Sequence, residues 1–277
     1  MAKKRKKKEA VLLRVLFGLG CLVLVCALAG LFFHGRPIFP QPTKPTEPTV
    51  PTVPPNPYTA TDFAYNGPFL ECVSGESLPG IDVSSHQGKV DWQKVADAGV
   101  KFVFVRLGYR GYQNGAIHED VRAKTNLAEA KAAGLRVGAY FFSQAITEAE
   151  AEEEADFALG VLGDFVLDLP LVYDWEYVAE TARTGAVTKD ALMAYTKVFC
   201  HKVEQAGCQP MIYFNRHLAE SHLDLLALTE YPFWLAMYTD QMTYPYRVEF
   251  WQYSDSGRIP GIDVKVDLNI WMPRSVS

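Results

Sequence analysis

Two carboxylic acids close an apolar run in the middle of the chain. The run 169–173 leads directly into Asp174, and Glu176 follows two residues later. Side chains alternate along a strand, so a strand here would place both carboxyl groups on one face, about 6.5 to 7 Å apart. Paired acids suit glycosidic cleavage, in which one acid protonates the leaving oxygen while another group stabilises the cationic sugar. Taken alone, the spacing favours a simpler interpretation, in which both acids are salt-bridged or face solvent.

Two further acids lie within apolar runs near the two ends of the folded body. Asp82 stands in the first run and Asp267 in the last. In a closed barrel the first and last strands are neighbours, which would bring both acids close to Asp174 and Glu176. Clustered carboxylates raise one another's pKa, which keeps an acid protonated near neutral pH. Such a cluster could instead hold Ca²⁺ or Mg²⁺. Because no histidine joins it at ligand spacing, we expect neither a metal nor another cofactor.

Aromatic residues occupy the same predicted strand ends. An aromatic ring can stack on the apolar face of a sugar while its polar tip bonds a hydroxyl, although an ordinary core uses the same residues. The predicted substrate contacts are Tyr140, Tyr213, Trp234, Tyr238, Trp251, Gln252 and Tyr253.

Short β-rich runs alternate with helical patterns along the body, and this alternation predicts the elements that position the acids. Predicted strands cover 81–84, 102–107, 137–142, 171–175, 211–214, 233–237, 248–253 and 264–268. Predicted helices cover 91–98, 120–133, 148–162 and 189–205, the last with Thr188 as its N-cap. Alternation of this kind is typical of parallel strands with covering helices. We therefore predict a single irregular TIM-like (β/α)5β3 barrel, an α/β fold, with an open doubly wound sheet as the alternative.

Charge is divided unequally between the two parts of the chain. The 277 residues carry a formal net charge of −5, yet residues 1–60 hold 9 Lys and Arg against 2 Asp and Glu. The rest is therefore strongly acidic, and such a surface repels nucleic acid, so we expect no nucleic-acid partner. The five cysteines are too few for a disulfide-rich scaffold, although a bridge between Cys200 and Cys208 is conceivable outside the cytoplasm.

The N-terminal residues predict a membrane anchor. Residues 1–14 form a basic cytoplasmic segment, and residues 15–33 contain no charge. That length is close to the ~20 apolar residues of a membrane-spanning helix. Basic residues stay on the cytoplasmic side, so the segment predicts a single pass with the body outside the cell. A cleaved signal peptide, with Ala27-Leu28-Ala29 before the cut, is the alternative and would give a secreted protein.

A proline-rich linker separates this segment from the body. Residues 34–60 are rich in proline and threonine, and prolines recur at every third position from Pro42 to Pro57. This period matches the turn of a polyproline II helix, so we predict a semi-rigid spacer. Residues 61–277 then have the size of one large domain, which we expect to act as a monomer.

The combination of motifs resembles the glycoside hydrolase family 25 lysozymes. The resemblance covers residues 80–273 and rests on Asp82-Val83-Ser84-Ser85-His86-Gln87-Gly88, Gly138-Ala139-Tyr140-Phe141-Phe142, Asp174-Trp175-Glu176, Trp251-Gln252-Tyr253 and Val266-Asp267-Leu268-Asn269. It implies an N-acetylmuramidase of peptidoglycan glycan strands, which cleaves the β-1,4 bond from N-acetylmuramic acid to N-acetylglucosamine.

The resemblance also assigns roles to the four acids. Glu176 would be the general acid, and Asp174 would orient the N-acetyl group of the substrate. Asp82 and Asp267 would complete an acidic floor. Participation of the acetamido group implies retention, whereas a water activated by an aspartate implies inversion. Two other functions stay open: a non-hydrolytic peptidoglycan-binding module, and a hydrolase of another N-acetylated glycan.

Overall fold

Eight strands close into a barrel in the computed structural model, which describes residues 52–273. The strands of the barrel are β3 (Leu78–Val83), β4 (Phe102–Arg110), β6 (Arg136–Ser143), β7 (Leu171–Trp175), β8 (Pro210–Asn215), β9 (Phe233–Ala236), β10 (Phe250–Gly257) and β11 (Val266–Trp271). Strand β5 (Ile117–Glu119) extends the sheet beside β4, and β1 (Phe63–Asn66) and β2 (Phe69–Cys72) form a separate hairpin. Pairing of β3 with both β11 and β4 closes the barrel, which excludes the open doubly wound alternative.

One strand of the barrel runs against the others. Strands β3, β4, β6, β7, β8, β9 and β10 are parallel, whereas β11 is antiparallel to both of its neighbours, β10 and β3. The expectation of a wholly parallel sheet was therefore wrong at this strand. The connection 258–265 between β10 and β11 is shorter than the dozen or so residues that a parallel crossover requires.

Five helices cover the outside of the barrel in the described part of the chain. They are α1 (Trp92–Asp97), α2 (Ala123–Ala132), α3 (Glu148–Leu162), α4 (Lys189–Gln205) and α5 (Arg216–Ser221). The first four confirm the predicted helices, and the Thr188 side chain caps α4 by accepting the Ala191 amide. Helix α2 begins three residues later than predicted. The Asp120 side chain before it is buried and accepts a hydrogen bond from Arg106. The short helix α5 was not predicted.

Aromatic rings fill the lower interior of the barrel, at the N-terminal ends of the parallel strands. Phe102 and Phe104 of β4 meet Phe250 edge to face, with ring centroids 5.4 and 5.1 Å apart. Glycine is required opposite both β4 rings, because a Cβ at Gly80 or Gly138 would overlap them. The rings close the barrel from below, so an interior pocket can open only at the upper end.

The hairpin β1–β2 covers one outer face of the barrel. Phe63 packs against Trp251 with ring centroids 5.2 Å apart, and the Leu70 amide donates to the Tyr253 hydroxyl. Residues 61–79, whose role the sequence does not explain, thus shield the outer side of β10. Cys72 lies here as a buried free thiol, and Cys200 and Cys208 are also free, so the conceivable disulfide is absent.

The end of the proline-rich segment is packed against the barrel. The Pro54 carbonyl accepts the Arg247 amide, and the Asn56 amide donates to the Pro245 carbonyl. The Asn56 side chain adds a 2.8 Å bond to the Tyr244 carbonyl. Chain packing therefore begins before residue 61. Residues 34–51 of the predicted spacer lie outside the described residues.

We expect Asn56→Ala to lower the stability of the folded body. The change removes two partly buried hydrogen bonds, one donated to the Tyr244 carbonyl and one accepted from the Tyr58 amide. Each is worth about 1 kcal/mol, and together they correspond to about 4–8 °C of Tm in a domain of this size. Thermal unfolding followed by circular dichroism measures the shift. Asn66→Ala, which removes only an exposed bond to Glu71, is the matched control and should leave Tm unchanged. Equal Tm values for the two variants would contradict a stabilising role for this segment.

Within residues 52–273, no helix is both long enough and apolar enough to cross a bilayer. The predicted cytoplasmic segment 1–14 and anchor 15–33 lie outside the described residues.

Candidate active site

A polar pocket of about 220 Å³ opens at the upper end of the barrel, where the parallel strands end. We call it the acid pocket. Every strand of the barrel, or the loop that follows it, contributes to the walls. The lining residues are Asp82, Ser84, His86, Gln87, Arg106, Tyr140, Phe142, Asp174, Glu176, Tyr213, Trp234, Tyr238, Gln252 and Asp267. All four acids predicted from the sequence are among them.

Asp174 and Glu176 form a hydrogen-bonded carboxyl pair at the end of β7. The strand rise predicted a separation of about 6.5 to 7 Å, but β7 ends at Trp175, and the Glu176 side chain reaches back to its neighbour. Burial raises the pKa of both groups, and for Asp174 the charge of Glu176 raises it further. Both shifts favour the protonated forms, and the hydrogen bond between the two groups favours the proton on Asp174. Glu176 is the less buried member, so it is the one that can pass a proton to a bound molecule.

Asp82 and Asp267 face each other across the pairing of β3 with β11. Two side-chain amides, Gln252 Nε2 and Asn269 Nδ2, donate to Asp82 Oδ2 at 2.8 Å each. Burial and the charge of Asp82 raise the pKa of Asp267 to about 8, and Asp267 donates to Asp82. Burial raises the pKa of Asp82 as well, while its hydrogen bonds to Asn269, Gln252 and Asp267 lower it.

A single arginine lines the acid pocket. Arg106 of β4 is bound to the buried Asp120 through an Nε bond of 2.9 Å, and it also reaches the Ser85 hydroxyl. Its positive charge lowers the pKa of Asp174 against the larger effect of burial. Arg106 is also paired with Asp120, so its positive charge is not directed at the pocket acids alone.

Four of the predicted aromatic residues line the acid pocket. The Tyr213 and Tyr238 hydroxyls both donate to Gln252 Oε1, at 2.8 and 3.2 Å. Trp234 is almost fully buried, and its Nε1 donates to Asn269 Oδ1, so it orders the amide that holds Asp82. Tyr238 is 56% exposed and forms the rim, and Tyr140 lies inside.

The sequence matches one known protein family over most of this barrel. Residues 81–262, about two thirds of the chain, match Glycosyl hydrolases family 25. The chain belongs to glycosyl hydrolase family 25. It is therefore a glycoside hydrolase, and Asp82, Asp174 and Glu176 all lie inside the matched range.

Individual relatives agree with this family. The chain is 28% identical over 212 residues to protein YegX of Escherichia coli K12, with 70% of each chain covered. It is 26% identical over 203 residues to Lysozyme M1 of Streptomyces globisporus, covering 69% of this chain and 67% of the lysozyme.

A solved structure gives the same result for the fold. The autolysin LytC of Streptococcus pneumoniae, solved with a synthetic peptidoglycan ligand, superposes with a TM-score of 0.62 at 30% identity. The match covers 71% of this chain and 47% of that one, so this family 25 chain spans about half the length of the pneumococcal protein.

Two residues of this hydrolase that were predicted to contact the substrate lie on the outer side of the barrel wall, away from the acid pocket. Trp251 and Tyr253 point outward under the hairpin β1–β2, where Trp251 is fully buried and donates to the Met237 carbonyl. Neither lines the acid pocket. The physical reason is alternation, because Gln252 faces inward and its neighbours along β10 must face outward.

Gln144 is a residue that the sequence did not single out. Its Nε2 donates to the Glu176 carbonyl at 2.7 Å, which fixes the backbone of the acid just beyond the strand end. Arg183 and Thr184 in turn bind the carbonyl and side chain of Gln144. The only sequence signal was its place just after a predicted strand.

No group of three or more His, Cys, Asp and Glu side chains in residues 52–273 is arranged to hold a metal ion.

We expect Asp82→Asn to shift the pH dependence of this hydrolase. The charge of Asp82 raises the pKa of Glu176, so its removal lowers that pKa, and the protonated acid is lost at a lower pH. The alkaline limb of kcat/KM should move down by about one pH unit, or about 1.4 kcal/mol of interaction. Rates measured from pH 4 to 9 show the shift. The exposed Asp263→Asn is the control, and an unmoved limb in Asp82→Asn would remove Asp82 from the groups that tune Glu176.

Proposed function

We propose that the enzyme is a muramidase that cleaves the β-1,4 bond between N-acetylmuramic acid and N-acetylglucosamine in peptidoglycan. Glu176 protonates the leaving oxygen, and the substrate's own acetamido group attacks the anomeric carbon. The single observation that carries this mechanism is the contact between the carboxyl groups of Asp174 and Glu176.

The contact argues against two carboxylates that work on opposite sides of the sugar. Glycosidases with a carboxylate nucleophile keep their two carboxyl groups about 5 to 5.5 Å apart, and inverting enzymes keep them about 6.5 to 9.5 Å apart. The carboxyl groups of Asp174 and Glu176 are bonded directly to each other, which does not suit an acid and a nucleophile that act from opposite sides of a sugar. The nucleophile therefore comes from the substrate, and an acetamido group next to the anomeric carbon supplies one.

Asp174 has a free acceptor for that acetamido group. Among the residues that the structure describes, its buried Oδ1 atom has no hydrogen-bond partner. An unpaired buried acceptor is unfavourable by about 1–3 kcal/mol, and an amide N–H from the substrate would satisfy it. Asp174 accordingly orients the acetamido group. After Glu176 has given its own proton to the leaving oxygen, the separate proton of Asp174, donated to Glu176 in a hydrogen bond, stabilises the Glu176 carboxylate.

Three of the similar proteins support peptidoglycan as the substrate. Lysozyme M1 carries its activity in its name, and the autolysin LytC has been solved with a peptidoglycan ligand. The spore cortex lytic enzyme SleM of Clostridium perfringens has the same fold, with a TM-score of 0.63 at 25% identity.

Analysis of new reducing ends tests the proposal. Full-length protein is incubated with purified peptidoglycan, and the soluble fragments are reduced with borohydride and analysed by mass spectrometry. Reduced N-acetylmuramic acid ends are expected. Reduced N-acetylglucosamine ends would mean cleavage of the other glycan bond, and no release from several wall types would favour a binding module.

We also propose that residues 15–33 hold the enzyme at the outer face of the cell membrane. Pro54 lies beside Phe233, the first residue of β9, so the described chain enters at the barrel end opposite the acid pocket. Recovery in membrane fractions with the body open to external protease is expected, whereas a mature N-terminus after Ala29 would mean secretion.

A further inference from the structure

A second cavity of about 600 Å³ adjoins the acid pocket. The two share His86, Arg106 and Phe142, so they form one continuous groove. The far wall is the loop 111–116, which joins β4 to β5; we call it the β4–β5 loop. Tyr112 of this loop is 48% exposed, and Val178, on the opposite side, is 44% exposed.

The acid pocket alone is too small for a polymeric substrate. Its volume of about 220 Å³ lies below the range of about 300–1,000 Å³ that is typical of small-molecule sites. The second cavity lies within that range. A glycan strand bound with one sugar over Glu176 must continue along the barrel top, and the second cavity is continuous with that position.

The β4–β5 loop is held in place by a buried ion pair. Arg110 is 4% exposed, and it binds Glu154 at 2.7 Å and the Gly115 carbonyl at 2.7 Å. The Gly111 amide also donates to the Ala116 carbonyl, which closes the loop on itself. The Tyr112 ring is thus presented on a fixed support and needs little ordering when a ligand binds.

The chemistry of the walls selects a neutral ligand. Both arginines that line the second cavity are paired, Arg106 with Asp120 at 2.8 Å and Arg110 with Glu153 and Glu154. An acidic peptide would therefore find no free cation there. The tyrosine rings and the side-chain amides of Gln113 and Asn114 instead suit a sugar, which offers an apolar ring face and neutral hydroxyl and acetamido groups.

We propose that the second cavity binds a further saccharide of the glycan strand, with Tyr112 as its stacking platform. The inference rests on the proposed muramidase function and adds to it a second binding position for the same strand. It predicts that affinity depends on strand length and that this dependence requires the Tyr112 ring.

Peptide-free glycan strands sorted by length test the inference. Full-length wild type, Tyr112→Ala and Tyr112→Phe are compared, with Tyr65→Ala as the control because Tyr65 is similarly exposed on the hairpin β1–β2. In Tyr112→Ala, KM for long strands should rise about tenfold, in line with a stacked aromatic contact, while kcat stays within about twofold. The difference should vanish for the shortest fragments that are still cleaved, and Tyr112→Phe should resemble wild type.

Three other outcomes would contradict the inference or the proposed function. A KM for Tyr112→Ala equal to that of wild type at every length would overturn the inference. An effect seen only with strands that retain their stem peptides would assign the cavity to the peptide and overturn the saccharide. If wild type releases no new reducing ends, the proposed function fails, and calorimetric binding of the same strands to wild type and Tyr112→Ala then tests the cavity by itself.

Discussion

Replacing Glu176 with glutamine should lower kcat by about 10³-fold, or about 4 kcal/mol of transition-state stabilisation. Glutamine keeps the shape of the side chain and can still bond to Asp174, but it has no proton to give. Peptidoglycan binding should therefore be retained while release of reducing ends stops. The rate of appearance of reducing ends, measured with saturating substrate, gives kcat directly.

Glu180→Gln is the matched control for this loss. Glu180 lies in the same segment after β7 but is exposed, and it does not line the acid pocket. It should turn over at the wild-type rate, and both variants should unfold at the wild-type temperature. Wild-type turnover in Glu176→Gln would end the assignment of Glu176 as the proton donor, and with it the proposed mechanism.

The positions of three of the four acids could be predicted because two simple rules fix them. Strand alternation places Asp174 on the inner face of β7, and barrel closure places β3 beside β11, where Asp82 and Asp267 pair directly. Both rules act on short segments whose type the sequence shows clearly. The site floor therefore follows from hydrophobic pattern and topology alone.

The same alternation rule would have prevented the error at β10. Trp251, Gln252 and Tyr253 are consecutive, so they cannot all face the pocket if they form a strand. The error came from grouping residues by chemical type instead of by strand face. The direction of β11 was also open to prediction, since the loop 258–265 cannot contain a crossover helix.

Other features depend on contacts between residues that are far apart in the sequence, and no local sequence pattern predicts them. The bond from Gln144 to the Glu176 carbonyl joins residues 32 positions apart, and it forms only because β6 and β7 are neighbours. The contact between Asp174 and Glu176 likewise depends on where β7 ends. Such details decide the mechanism, because the strand spacing alone would have suggested an inverting pair.

Asp174→Asn should separate activity from stability. Loss of the acid that donates a hydrogen bond to Glu176 and orients the acetamido group should lower kcat by about 10²-fold, the usual effect of removing one preorganised polar group. At high pH, in contrast, the folded variant should be more stable than wild type. Burial and the charge of Glu176 raise the folded-state pKa of Asp174 well above its unfolded value.

The sign of the stability effect follows from that raised pKa. Stability from such a group is fully present below the unfolded pKa near 3.9 and is lost as pH rises through the folded pKa. Asparagine has no proton to lose, so the variant avoids this loss. At pH 9 the Tm of Asp174→Asn should therefore be higher than that of wild type.

Thermal unfolding of wild type and Asp174→Asn at pH 4 and pH 9 measures this difference. The two should unfold at similar temperatures at pH 4 and diverge at pH 9. The exposed Asp164→Asn should follow wild type at both pH values and retain full activity. A variant that is less stable than wild type at pH 9 would mean that Asp174 is ionised in the folded protein. An ionised Asp174 would accept a hydrogen bond from Glu176 instead of donating one, and its charge would help to keep Glu176 protonated.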